Sequence, residues 1–235
     1  MSKSYSKQEA GALMQQMLEG TMPHEEVARI LREMAARGET VDEIVGMAMI
    51  MRTFVNRVHG HEDAVDTCGT GGSGLERINT STMVAFVLAA GDVKIAKHGN
   101  RAAGGRCGSF DVLEAVGAKI ELSPEQVEKT LNAVGLGFMF APLYHPAMKH
   151  VMPVRKELGI RTIFNLLGPL TNPAFVRRQI MGVSDLEIAE KMVAVMQHLG
   201  HERALVVHGE DGLDEITITG RTTIFDLKGG DIEHY

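Results

Sequence analysis

Apolar positions in residues 8–58 recur at helical spacing. Ala10, Leu13, Met14, Met17 and Leu18 make one stripe, Val27, Ile30, Leu31 and Met34 a second, and Ile44, Val45, Ala48 and Met51 a third. Thr40 followed by Glu43 predicts a capping-box start for the third helix. From residue 64 the pattern changes to short β-type runs at 64–67, 93–96, 138–140, 179–183 and 204–208. They are separated by helix-like segments near 82–90, 109–116, 124–134 and 185–199. Ser123 with Gln126 and Ser184 with Glu187 read as further capping boxes, and 146–158 as a helix leading back toward the N-terminal stripes. Two prolines make 168–173 a rigid connection. The expected fold class is α/β: a small N-terminal helical lobe, residues 1–63 with a helical return near 160–176, and a larger α/β lobe, 64–235, with a mostly parallel sheet.

The 235 residues allow one large domain or a large and a small one, with an ordinary globular composition. The net charge is −6 and no Lys/Arg tract occurs, so an anion site has to be local and nucleic acid is excluded as the expected partner. The N-terminus lacks the apolar core of a signal peptide and no stretch is long enough to span a bilayer, which makes the cytoplasm the expected location and a membrane partner unexpected. Cys68 and Cys107 form no CxxC pair and read as reduced thiols near a ligand.

Candidate chemistry lies where the β-type runs end. Asp66 to Gly74 (Asp-Thr-Cys-Gly-Thr-Gly-Gly-Ser-Gly) is followed by Asn79-Thr-Ser-Thr82 at a predicted helix start, an order that lets backbone amides surround a phosphate. Alone, such a run equally suits a plain turn, because it lacks the Lys-Ser/Thr ending of a P-loop and the dinucleotide glycine spacing. A second glycine-rich loop follows Lys97-His-Gly-Asn-Arg101, in which Lys97 supplies a point charge and Asn100 both donates and accepts. In an open parallel sheet both loops lie beyond the strand carboxyl ends, facing one pocket. Asp214-Glu215 follows another β-type run; adjacent carboxylates suit a magnesium ion that also touches phosphates, with Ser81 opposite. An apolar wall near Phe138 to Met148 and the guanidinium of Arg155 suit a small aromatic acid, although ordinary core and an exposed ion pair are the plainer readings.

Taken together, Asp66-x-x-Gly-Thr-Gly-Gly, Asn79-x-Ser-Thr, Lys97-His-Gly-Asn-Arg, Gly108-Ser-x-Asp-Val-Leu-Glu-Ala, His145-Pro-Ala-Met-Lys-His and Ile160 to Pro173 resemble the anthranilate phosphoribosyltransferases of tryptophan biosynthesis. The resemblance implies transfer of a phosphoribosyl group from phosphoribosyl pyrophosphate (PRPP) to anthranilate, with Mg2+, in a homodimer formed through the helical lobe. It assigns PRPP to Gly69, Gly72, Ser73, Arg77, Asn79, Thr80, Ser81, Thr82, Lys97, His98, Gly99, Asn100, Arg101, Gly104, Gly105 and Ser109. Anthranilate falls to Gly69, Asn100 and Arg155, with His98, Tyr144, His145 and Gly168 along its approach; metal falls to Ser81, Asp214 and Glu215. No general acid or base is assigned. Ser73, Arg77 and Gly104-Gly105 depart from the usual family residues. Members continue beyond position 235, so the sheet is expected to be incomplete at its C-terminal side. A pyrimidine nucleoside phosphorylase, or a non-catalytic PRPP-binding or dimerisation module, are the alternative readings.

Overall fold

The computed structural model describes residues 4–71, 78–102 and 107–235. Three helices open the chain: α1 (Lys7–Glu19), α2 (His24–Arg37) and α3 (Val41–Thr53). Thr40 caps α3 as its pattern predicts, receiving the Glu43 amide at 3.3 Å while Glu43 Oε2 accepts the Thr40 amide at 2.9 Å. Ser6 and Glu9 form an equivalent box on α1. The predicted stripes are the buried faces, with Leu13 only partly covered. Helices α1 and α3 approach so closely that a Cβ on Gly46 would lie 2.1 Å from the Lys7 carbonyl oxygen; only glycine fits there.

The second part alternates β1 (Val65–Gly69), α4 (Thr80–Ala90), β2 (Ile95–Gly99), α5 (Ser109–Ala115), α6 (Pro124–Val134), β3 (Leu136–Phe140) and α7 (Ala141–Tyr144). It continues through α8 (Met152–Leu158), α9 (Phe164–Leu170), β4 (Arg178–Gly182), α10 (Leu186–His198), β5 (Arg203–Gly209), β6 (Thr222–Lys228) and β7 (Asp231–His234). The strands form one sheet in the order β3-β2-β1-β4-β5-β6-β7, parallel from β3 to β5 and antiparallel thereafter. The mostly parallel sheet matches the expectation for its class. The hairpin β6–β7, which the sequence reading did not anticipate, turns on Gly229 and Gly230, both at positive φ, as a two-residue hairpin requires.

Two local expectations need correction. The helix expected over 146–158 is a 3₁₀ stretch at Pro146–His150 and then α8, because Pro153 has no N–H to continue the earlier turn. Helix α10 is capped by Asp185, which accepts the Ile188 amide at 3.0 Å, instead of by the Ser184–Glu187 box. One apolar core runs from α1–α3 through α8, α9 and α10 to the sheet residues Met181, Val183, Ala204 and Val206, so the N-terminal helices and that sheet face pack as a unit. Residues of β2 and β3, with α6 and Tyr144, fill a second cluster, and Phe110, Leu113, Ile120 and Phe140 a third. Among the described residues no helix is long and apolar enough to cross a membrane.

Candidate functional site

Strands β1, β2 and β4 end together on glycines. Gly69 is in register with Gly182, and extending the β1–β2 register from Val65 and Ile95 brings Gly99 alongside. Each glycine admits a group from elsewhere. A Cβ on Gly182 would sit 1.8 Å from the Asp214 carbonyl oxygen, one on Gly69 3.2 Å from Asp214 Oδ2, and one on Gly99 2.6 Å from Ser109 Oγ. The absence of side chains thus draws the acidic 214 turn and the start of α5 onto the strand ends. Asp214 is fully buried there.

Lys97 is buried in the middle of β2. Its ammonium donates to the Thr67 carbonyl and, at 3.2 Å, to Ser81 Oγ. Thr67 Oγ1 in turn donates to the Ser81 carbonyl at 2.8 Å, which fastens the first turn of α4 to β1. Asn79, the cap of α4, makes no capping bond, and its Nδ2 reaches the Cys107 carbonyl at 3.5 Å, joining the two loops. The N-terminal amides of an eleven-residue helix therefore open on the same rim as Lys97. Thr70 Oγ1 and Thr82 Oγ1 are buried without a hydrogen-bond partner among the described residues, a costly state for buried hydroxyls.

Beneath this rim lies Asp66, with no exposed surface. Its carboxylate accepts from Asn172 Nδ2 at 2.8 Å and from the His98 amide at 3.3 Å. Burial nevertheless holds its pKa above the ordinary range, against the lowering effect of Lys97, Asn172 and the His98 amide. Burial also pushes the Cys68 thiol well up, and Gln179 Nε2 donates to its sulfur at 3.0 Å, so this cysteine is an inert thiol.

The described ends of the second loop meet at Asp111, whose Oδ2 accepts the amides of Ala102 at 2.9 Å and Gly108 at 2.7 Å; those bonds lower its pKa. Asn100 is exposed at the end of β2: its Oδ1 accepts the Arg101 amide at 2.8 Å and its carbonyl the Ser109 hydroxyl at 3.2 Å. Arg101 itself pairs with Glu114 at 2.7 Å and stacks on Phe140 at 4.7 Å, the plainer role for an arginine at a strand end.

On the neighbouring side, His98 and His145 are buried with Nε2 atoms 3.2 Å apart, and the His98 ring also hydrogen-bonds the Gly168 carbonyl. Burial, with the other imidazole nearby, holds His98 well below its usual pKa; burial alone brings His145 to about 4. Both are neutral at pH 7. With the single N–H of neutral His98 donated to Gly168, its Nε2 accepts from His145. Arg155 stacks 5.4 Å over Phe164 of α9, the helix that carries Gly168. Among the described residues it pairs with no carboxylate, and burial lowers its pKa. Tyr144 belongs to the second core cluster and donates its hydroxyl to the Leu122 carbonyl at 3.0 Å, so it stands behind the site as support.

The acidic turn is held by Asp211, which accepts from Thr217 and Thr219, both at 2.6 Å, and from the Leu213 amide at 3.1 Å. Among the described residues no three His, Cys, Asp or Glu side chains form a metal cluster. Ser81, Asp214 and Glu215 offer oxygen donors only. That set fits magnesium, which keeps waters and takes further oxygens from a bound phosphate. Of the remaining sequence candidates, Thr80 begins α4, whereas Gly72, Ser73, Arg77, Gly104 and Gly105 lie outside the described residues. The sequence reading did not assign Asp66, Asp111, Arg161, Asn172, Gly182 or Asp211. Arg161, for example, donates to the Gly71 carbonyl at 3.2 Å. A strand-end glycine was the available signal for Gly182; the other partners are set by tertiary packing.

Comparison with known proteins gives concordant matches. Residues 61–235 match the family described as "Glycosyl transferase family, a/b domain", and residues 2–55 the "Glycosyl transferase family, helical bundle domain". The chain is 54% identical over 230 residues to the anthranilate phosphoribosyltransferase of Rubrobacter xylanophilus, covering 98% of this chain and 67% of that protein. It superposes on anthranilate phosphoribosyltransferase from Thermus thermophilus with a TM-score of 0.92 at 42% identity, over 99% of this chain and 70% of the other. The Saccharomyces cerevisiae enzyme in complex with PRPP and Mg gives 0.87 at 26% identity, over 98% and 68%.

Proposed function

The chain belongs to the anthranilate phosphoribosyltransferase family, and from that premise we propose that it transfers the phosphoribosyl group of PRPP to the amine of anthranilate, releasing pyrophosphate. The observation that carries this reading is the convergence of Lys97, Ser81 and the Asp214 turn on the glycine ends of β1 and β4. A sugar that carries phosphate at one end and pyrophosphate at the other needs dispersed donors and cations, and this rim supplies them. Ser81, Asp214 and Glu215 would hold magnesium, which when bound would supply positive charge to the pyrophosphate oxygens. Lys97 and the α4 amides contribute positive potential to the same oxygens. Arg155 takes the anthranilate carboxylate, while neutral His98 and His145 beside Gly168 shape its approach without adding charge.

In the reaction the anthranilate nitrogen lone pair forms the new bond to the anomeric carbon as the carbon–oxygen bond to pyrophosphate breaks, its electron pair leaving with pyrophosphate. Positive charge develops on the ribose ring, so fixed donors on the leaving group and alignment of the amine supply the catalysis. The proton on the resulting anilinium-like nitrogen is acidic enough to leave without a dedicated base.

Residues 1–63, with the return near 160–176, serve in this proposal as the helical lobe, and 64–235 as the PRPP lobe. Two copies associate through the helical lobe, where Met49 of α3 is 46% exposed. Free Cys68 and Cys107 agree with a cytoplasmic setting. Incubation with PRPP, magnesium and anthranilate, followed by anthranilate fluorescence, tests the activity. Signal should fall only when all three are present; phosphate-dependent cleavage of thymidine with no loss of anthranilate would replace this reading with a nucleoside phosphorylase.

A further inference from the structure

At the opposite end of the parallel sheet, the amino ends of β1 and β4 border an open cleft of about 520 Å³ lined by Arg52, Glu62, Phe175, Arg177 and Leu199. Its volume falls within the roughly 300–1,000 Å³ usual for small-ligand sites. A five-residue strand separates Arg177 from the glycine rim, a distance of about 15 Å.

Of the two arginines in the cleft, Arg52 has no counter-ion among the described residues. Arg52 spends Nε on the Leu170 carbonyl at 2.8 Å, and among the described residues its two Nη nitrogens have no hydrogen bond and no carboxylate partner. Burial alone lowers its pKa to about 10. The nearby acids are committed elsewhere: Glu62 pairs with Arg57 at 2.6 Å, and Glu202 with Arg177 at 2.9 Å. His201, which feels the Arg52 charge, is neutral at a pKa of about 4. Phe175 is held at φ 50°, a left-handed conformation unfavourable for a bulky residue, with Arg57 at 4.5 Å and Arg52 at 5.7 Å from its ring centre.

We propose that this cleft binds a small amphipathic carboxylate, its anion on the Arg52 fork with Arg177 nearby and its apolar body against Phe175 and Leu199. The planar guanidinium matches a carboxylate in bidentate fashion, while Glu62 on the wall disfavours a phosphate dianion. The segment 168–175 joins this cleft to the rim. Leu170 receives Arg52, Gly168 receives His98, and Asn172 holds Asp66 while its carbonyl accepts the Phe175 amide at 3.0 Å.

The test is calorimetric titration of the whole chain with 3-phenylpropionate. Saturable binding is expected, unchanged by Arg155→Ala in the other site, and weakened at least about tenfold by Arg52→Met, which removes both bonds of the fork. Arg177→Ala, at an exposed position less critical to folding, should weaken it severalfold. Absence of saturable binding, binding abolished by Arg155→Ala, or binding indifferent to both Arg52→Met and Arg177→Ala would overturn the proposal. None of these readouts depends on turnover, so they stand apart from the transferase reading.

Discussion

Glu43 in the helical part and Asp66 under the strand ends are both carboxylates with no exposed surface, yet their surroundings act on them in opposite directions. For Glu43, burial raises the pKa, but two bonds from Arg37 and the amides of Tyr5 and Thr40 outweigh it, and the net shift is downward. For Asp66, burial outweighs Lys97, Asn172 and the His98 amide, and the net shift is upward. In the first region the Glu43 carboxylate is met by its own cation and two amides, although Arg37 Nε is buried without a partner among the described residues. The second commits its cation partly to Ser81 and, among the described residues, leaves the hydroxyls of Thr70 and Thr82 without partners beside the glycine strand ends.

The largest effects separate the regions through their two tightest glycines. Gly46→Ala drives a Cβ to 2.1 Å from a backbone oxygen in the helical core and should cost about 4 kcal/mol of unfolding free energy in denaturant titrations. Gly182→Ala makes a similar collision, at 1.8 Å, with the Asp214 carbonyl; it should abolish magnesium-dependent PRPP binding while leaving α1–α3 folded by amide exchange. Equal consequences for both functions would erase the distinction. Next, Asp214→Ala with Glu215→Ala should lower kcat about a hundredfold, and unchanged turnover at saturating magnesium would remove the metal assignment. Arg155→Ala should raise the anthranilate KM about tenfold with little change in kcat; a pure kcat loss would move Arg155 out of the carboxylate's reach.

The smallest effect is in pH. A lowered folded pKa means that the contribution of Glu43 is present above its unfolded pKa and is lost as pH falls through the folded value. Asp66 has the reverse sign: its raised folded pKa means stability declines as pH rises from the unfolded toward the folded value. Urea titrations across acid pH should therefore show Glu43→Gln removing part of the acid-induced loss seen in the parent chain. A Glu43→Gln profile parallel to the parent would contradict the assignment.

Much of this architecture is legible from periodicity. The stripes at Met14, Ile30 and Val45, the β-type run at 64–67, observed as β1 at Val65–Gly69, and the Ser123 box are local patterns, and local chemistry produces them. The β6–β7 hairpin was legible in principle from Gly229-Gly230 but carried no pattern strong enough to be read. Pro153 splits a helix that apolar spacing alone makes continuous. At the site, glycine loops and Lys97 stand out in sequence, whereas Asn172 reaching Asp66 across 106 positions, or Arg161 reaching Gly71, exists only once the sheet has formed.

The central claim is that the glycine rim of β1, β2 and β4 is a magnesium-assisted seat for PRPP. Calorimetric titration of the chain with PRPP, with and without magnesium, tests it most directly. Saturable binding that tightens with magnesium and loses that gain in the Asp214→Ala, Glu215→Ala variant is the predicted result; binding that ignores both the ion and the two carboxylates, or no binding at all, would contradict it.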